Sequence, residues 1–436
     1  MRRLLALFVA SAAALAPPTK PVTPFHVHVG GGKLGLSLVV PAVAASGVNF
    51  AVVDTPKDPA WAALAKGSEF PVRVNGVEIC RLTAVGDGGL AGPGKLVLSD
   101  DEATLAALVA QATTLSCSLG PSLGPVMTKL LKHTSHKPIL YACENDHDAV
   151  ADLTQALEGK ATVVDCVVDR VSTDRAVTAD GVAVTAEAWR GAIVPLDAAV
   201  NRESAPPFGS KFGAEILAPR SSAAARYLSD RKLTLVNGMH TTLAFATIRD
   251  AHAVVPGDLH LAKPSSAGII TREIWHWALA RCAILVREHG LDTIKEVHGL
   301  DDDDAAFDAL TAYARQALER FQLTDDTVAR VLGGGVAKRW NGRLAVAESN
   351  FRRAVASEDP DVWRFLARNG ANGGGVAAGI AKLVDDTTEA CLVDHEANGG
   401  DDVDDACVRD AIPIHGSFPT VAAQGKTPAG VKTMSR

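Results

Sequence analysis

Phe25-His26-Val27-His28-Val29-Gly30-Gly31-Gly32-Lys33-Leu34-Gly35 is the stretch whose reading decides the fold. Its first five residues alternate as a β-strand does and run straight into a glycine-rich turn. Lys33 to Ser46 follows with a helical pattern, and Pro41 falls inside it, placed to kink it. Asn49 to Val53 is a second short strand, closed by Asp54. Strand, glycine turn, helix and strand within about 30 residues form the half-unit of a dinucleotide-binding fold. Gly30 permits the tight turn, Gly32 lets the backbone approach a pyrophosphate, and Gly35 lets helix and strand pack closely. The helix start contributes N–H donors and the positive end of its dipole. The expected cofactor cradle is therefore Gly30, Gly31, Gly32, Lys33, Leu34 and Gly35. Asp54 is placed to accept hydrogen bonds from the adenosine ribose, and its charge opposes a 2′-phosphate. NAD is the expected cofactor, with Lys57 nearby keeping dual use open.

Working outward, the α/β alternation continues. Val72 to Cys80 has the pattern of a hairpin around Asn75-Gly76. Helices are expected over 102–113 and 148–157, and strands over 114–118, 137–143 and 161–168. Past Pro206-Pro207 the pattern becomes helical, over 274–289, 305–321 and 360–368. The expected fold class is α/β: an N-terminal Rossmann-type doubly wound sheet over 25–215, then a mainly α-helical C-terminal domain over 216–425 that carries the substrate and catalytic groups. A tail covers 426–436. Asp301 to Asp304 and Asp401 to Asp405 are expected as solvated helix-end charge. Gly333 to Gly335 and Gly373 to Gly375 are expected as loops.

The chain has 436 residues, 47% hydrophobic and 21% charged, with a net charge of −7. That balance gives no reason to expect nucleic acid or an anionic membrane as partner, and it leaves the oligomeric state open. Residues 1–24 resemble a targeting leader: Arg2 and Arg3, then an apolar run from Leu4 to Ala16 that is short for a membrane span. Seven cysteines, an odd number without CxxC or CxxH spacing, point to free thiols in a reducing compartment and to no zinc set. Leader and thiols together suggest secretory-pathway entry to an organelle such as a plastid, and a cytoplasmic protein if the leader is not real. No membrane is expected as partner of the mature chain.

The second informative stretch is Lys232-Leu233-Thr234-Leu235-Val236-Asn237-Gly238-Met239-His240. Lys232 is expected in a short alternating segment before a helix that starts near Asn237. A lysine that loses its proton can take one from an alcohol, if burial or nearby cations lower its pKa. An asparagine can hold the developing alkoxide, and a histidine can grip a neighbouring hydroxyl. Together with the glycine turn, these residues suggest hydride transfer between a polyhydroxy alcohol and a nicotinamide dinucleotide.

Lys232, Asn237 and His240 resemble the KxxxxNxxH signature of the polyol-specific long-chain dehydrogenases, the mannitol dehydrogenase family. Further segments follow in family order. Ser118-Leu119-Gly120-Pro121 resembles its Val-Gly-Pro loop, Ala142-Cys143-Glu144-Asn145 its Ala-Cys-Glu-Asn segment, and Val168-Asp169-Arg170-Val171 its Val-Asp-Arg segment. The resemblance covers about residues 25 to 350. It implies a metal-independent reaction with Lys232 as general base, Asn145 and Asn237 as donors to the alkoxide, and His240 orienting a substrate hydroxyl. Asp169 is a weaker candidate for the substrate site. Lys338, Arg339 and Arg343 resemble the basic stretch of the mannitol-1-phosphate members, shortened and without its Asp, and would grip a phosphate. The expected partner is thus a polyol or ketose, or its phosphate. Mannitol 1-phosphate is expected ahead of free mannitol or a hexuronate, although Asn237-Gly238-Met239-His240 reads more like the latter branches. A dinucleotide-binding sensor without catalysis is the alternative of another class.

Overall fold

The computed structural model describes residues 24–397, apart from 58, 67–68, 86–93, 135, 253–258 and 267. The expected leader (but for Pro24), the tail and the run Asp401 to Asp405 lie outside the described residues. Twelve strands make one sheet: β1 (Phe25–Val29), β2 (Asn49–Asp54), β3 (Glu69–Val74), β4 (Val77–Ala84), β5 (Lys95–Leu98), β6 (Thr114–Cys117), β7 (Ile139–Cys143), β8 (Thr162–Asp169), β9 (Ser172–Thr178), β10 (Gly181–Ala186), β11 (Ala192–Pro195) and β12 (Glu215–Ile216). Its centre runs β5-β2-β1-β6-β7-β8, all parallel. This is the strand order of a doubly wound dinucleotide fold, with the reversal between β1 and β6. The glycine turn leaves β1 at that reversal.

Both faces of the sheet are covered, so strand residues are apolar on alternate sides. Val27, Ala51, Leu115 and Leu140 join one core with helices Glu102–Gln111 and His147–Ala156. Phe50, Val52, Tyr141 and Ile193 join another with the helix after the glycine turn. Pro41 lies just past a π-helical turn, Gly35–Val39, in that helix. Proline has no N–H to give the carbonyl of Ser37, four residues back. The Arg170 guanidinium donates to that carbonyl instead.

The β9–β10 hairpin was not expected. It leaves the end of β8, crosses to the far edge of the sheet and pairs there with β3. The chain then returns, and β11 lies antiparallel beside β8. The hairpin thus straps the glycine turn: the Lys33 amine donates to Thr173 O, and Ser37 Oγ lies 2.7 Å from Ser172 Oγ.

The second half is helical around one long element, Arg272–His298, which bends at Gly290 (φ 70°, ψ 159°). Trp277, Phe245, Phe307, Phe351 and Phe365 are among the bulky side chains buried there. Asp302 caps helix Asp303–Leu323 by accepting from Ala305 N, as the acidic run suggested. Gly373 to Gly375 correct the loop expectation: they open helix Gly373–Ala397, where Asn372 accepts from Gly375 N. Gly333 to Gly335 do form a loop. Cys80, Cys117, Cys143, Cys166 and Cys282 are free thiols. No helix among the described residues is long and apolar enough to cross a membrane.

Two histidines are buried on β1 facing the helix after the turn. His26 lies 2.9 Å from Thr114 Oγ1 and 2.8 Å from Ser116 Oγ, and His28 lies 2.8 Å from Ser116 Oγ and 3.0 Å from Gly30 O. Burial, and for His26 the neighbouring His28, lowers their pKa values to about 3 and about 4. Unfolded, each titrates near ~6.5. Between those limits the unfolded chain binds more protons. Stability is therefore complete above about pH 6.5 and falls as pH drops, by about 1.4 kcal/mol per pH unit for each histidine. Urea unfolding between about pH 4.5 and 6.5 should show that dependence, and His26→Gln should lower the slope by about 1.4 kcal/mol per pH unit. An unchanged slope in that variant contradicts the assignment.

Candidate active site

Gly30 has φ +116°, and a Cβ there would stand 2.4 Å from Ser118 O. A Cβ on Gly35 would stand 2.2 Å from Gly30 O. These two positions tolerate only glycine, for the reasons the sequence suggested. Gly32 is different: a Cβ would meet nothing within 4 Å. Space is left above its backbone, next to the helix that begins at Lys33. Glu144 holds the neighbouring loop, accepting from Leu119 N and, at 3.1 Å, from Gly120 N. Burial raises its pKa against those two N–H donors. The Ser118–Pro121 and Ala142–Asn145 segments are thus parts of one joint.

Asp54 closes β2 as expected. Its Oδ1 accepts from Thr55 N at 2.7 Å, and its Oδ2 lies 3.4 Å from the Arg175 guanidinium. Arg175, on the strap, also donates to Gly31 O and lies 5.8 Å from the Trp61 ring centroid. No local pattern announces this contact, because β9 is remote in the chain. The Asp54 carboxylate therefore has a cation beside it.

Lys232 corrects one expectation. It does not lie in an alternating segment before a helix. Helix Ser222–Arg231 continues through a π-helical turn, Lys232–Asn237, into helix Gly238–Asp250. Five steps along an α-helix leave two side chains about 140° apart. A π-turn closes i→i+5 bonds and brings such residues towards one face. The KxxxxN spacing is therefore a π-turn spacing, and three further residues of α-helix bring His240 round. Lys232, Asn237 and His240 all line one cleft of about 780 Å³.

That cleft lies between the carboxyl end of the sheet and the helical half. Lys33, Leu34, Asn145 and Asp169 line it from the sheet side. Lys338, Arg339 and Arg343 line it from the helical side. The candidate catalytic and substrate residues are thus brought together. Gly30, Gly31, Gly32, Gly35 and Asp54 sit beside the cleft, at the strap. The Lys232 side chain is 5% exposed, and its amine donates to Asn145 Oδ1 at 3.0 Å. Burial lowers its pKa to about 8; Asp169 raises it, and Arg343 and Arg320 lower it further. Burial likewise lowers Arg343 to about 10, with Arg339 adding to the shift.

Two features were missed by sequence reasoning. Asp326 Oδ2 lies 3.1 Å from His240 Nε2, and Phe321 stacks on the imidazole at 4.4 Å. Burial raises the Asp326 pKa, but His240 and Arg330 outweigh it, so the carboxylate stays ionised. Burial lowers His240 against the pull of Asp326. The second feature is Arg320. It donates to both oxygens of Asp169, at 3.0 and 2.8 Å, and to Glu187 at 2.7 and 2.9 Å. Asp169, the weaker substrate-site candidate, is therefore paired with Arg320. Among the described residues, Asp230, Glu288 and His289 cluster as three candidate metal ligands, and none of them lines the cleft.

No protein-family model matches the chain, and no curated protein matches it. Solved structures do match. Octopine dehydrogenase in complex with NADH and agmatine is 13% identical, with a TM-score of 0.45 over 93% of this chain and 99% of that one. A ketopantoate reductase from Ralstonia eutropha is 12% identical, with a TM-score of 0.40 over 83% and 99%. A glycerol-3-phosphate dehydrogenase from Coxiella burnetii is 9% identical, with a TM-score of 0.38 over 87% and 100%. None of these comparisons shows the mannitol dehydrogenase family.

Proposed function

We propose that this chain is an NAD-dependent oxidoreductase that interconverts a sugar alcohol and a ketose, with mannitol 1-phosphate and fructose 6-phosphate as the pair. One observation carries the reading. A buried lysine amine, held by an asparagine, shares a cleft with the helix start after the glycine turn and with Lys338, Arg339 and Arg343. The strand reversal, the two constrained glycines and the open space over Gly32 fit a dinucleotide. NAD bound there supplies the hydride acceptor for the carbinol carbon.

The chain's residues supply the rest. In the oxidative direction neutral Lys232 takes the hydroxyl proton on Nζ. Asn145 spends its Oδ1 on that amine, which leaves its Nδ2 hydrogens for the developing alkoxide. Asn237 supplies a second amide donor. Asp326 engages His240 at Nε2, so Nδ1 is the ring nitrogen left for a substrate hydroxyl. Lys338, Arg339 and Arg343 hold the phosphate. Free mannitol and the hexuronates remain the rival substrates, since Asn237-Gly238-Met239-His240 favours their branches. A sensor without catalysis is the rival of another class.

A panel of NADH oxidation over fructose, fructose 6-phosphate, fructuronate and tagaturonate tests the reading. Fructose 6-phosphate should be reduced best, and Lys338→Ala with Arg339→Ala should raise its KM more than tenfold. Lys232→Ala should lower kcat by about 10² to 10⁴ and leave NADH binding in place. Fructose reduced as well as its phosphate contradicts the phosphate grip, and no turnover of any of the four contradicts the enzyme.

Asp54 and Arg175 should act against each other on cofactor choice. Asp54 opposes a 2′-phosphate, and Arg175 offsets part of that charge. Arg175→Ala should lower kcat/KM with NADPH about tenfold and change that with NADH little. Equal kcat/KM with both cofactors in the unmodified protein contradicts selection by Asp54.

A further inference from the structure

A second cavity, of about 270 Å³, lies behind the helix that carries Lys232. Leu233, Arg281, Glu288, Arg343, Ala347 and Asn350 are among its walls. Arg281 is the unusual member. It is 2% exposed, yet among the described residues no carboxylate pairs with it. Its Nη2 donates to Thr242 Oγ1 at 3.1 Å and to Arg343 O at 2.9 Å, and the guanidinium lies 5.3 Å from the Trp277 ring centroid. Its Nε is buried without a partner. Gly238 makes room for it: a Cβ there would stand 2.4 Å from Nη1. Arg320, also deeply buried, is held by two carboxylates, whereas Arg231 lies against the Tyr313 ring and 3.4 Å from His298 Nε2.

A buried guanidinium without counter-charge is costly, and a second guanidinium beside it adds to the cost. Burial and Arg343 together push the Arg281 pKa down to about 9. An anion in the cavity would relieve both. We propose that this rear cavity binds a phosphate group, held by Arg281 and Arg343, at a site separate from the substrate cleft. Two guanidinium groups match a phosphate dianion in charge and in donor geometry. The volume leaves room for a small organic moiety attached to it. Glu288, on the same wall, works against the anion. Arg343 faces both spaces, so the proposal rests in part on the cleft described above.

Isothermal titration of inorganic phosphate into NADH-loaded protein tests it. Lys338→Ala with Arg339→Ala should keep one phosphate-binding event, because those residues line only the front cleft. Arg281→Met should weaken that event at least about tenfold. If Arg281→Met does not fold, Ala347→Trp fills the cavity and Asn350→Glu adds a carboxylate, and each should abolish the event. Glu288→Gln should tighten it about threefold. Glycerol 1-phosphate serves as a second probe: tighter binding than phosphate assigns the site to a phosphomonoester, and equal binding assigns it to free phosphate. The proposal is overturned if the doubly substituted protein binds no phosphate, or if its remaining event survives Ala347→Trp and Asn350→Glu. The front grip fails separately, if Lys338→Ala with Arg339→Ala leaves every binding event of the unmodified protein in place.

Discussion

The clamp of Arg320 between Asp169 and Glu187 is the interaction on which the cleft depends. Asp169 ends β8, Glu187 follows β10, and Arg320 lies on helix Asp303–Leu323. The three side chains are buried, and the guanidinium also lies over the Trp189 ring at 4.0 Å. The clamp therefore ties strap, sheet and helical half at one point. Losing the cation would leave two buried carboxylates without their counter-charge, a change that costs about 3–5 kcal/mol. It also shapes the field at Lys232: Asp169 favours the charged amine, and Arg320 opposes it.

Around that joint the helical half presents its groups by unusual turns. Lys232–Asn237 and Trp340–Ala345 are both π-helical. The first carries the lysine and an amide, and the second carries Arg343. Such turns widen the helix and recur at functional sites. Arg281 braces the pair, bonded to Thr242 on one side and to the Arg343 carbonyl on the other. The strap acts similarly on the sheet side, where Arg175 meets Gly31 O and Asp54.

Much of this was legible in the chain because it is local. The glycine turn, the Asn75-Gly76 hairpin, the parallel strands and the Asp302 cap each follow from a few neighbouring residues. Lys232, Asn237, His240, Asn145, Lys338, Arg339 and Arg343 also meet in one cleft, as their motifs suggested. What escaped is non-local. Arg320 is paired with residues 133 and 151 positions away. The β9–β10 hairpin pairs with β3 across the sheet, and nothing in its composition says so. The π-turn escaped because periodicity at 3.6 residues cannot register a spacing of five. Lys232 consequently read as part of a short alternating segment ahead of a helix. Asp326 belongs to none of the motifs, and only the fold brings it to His240.

Catalysis in this cleft turns on the ionisation of one amine. Lys232 is nearly sealed from solvent, and burial with Arg343 and Arg320 lowers its pKa to about 8 despite Asp169. NMR of the protein labelled at lysine Cε, with Lys232→Arg to assign the resonance, reads that ionisation directly. The expected titration of that resonance is near pH 8. A resonance that titrates at the ordinary lysine value near ~10.4 contradicts it.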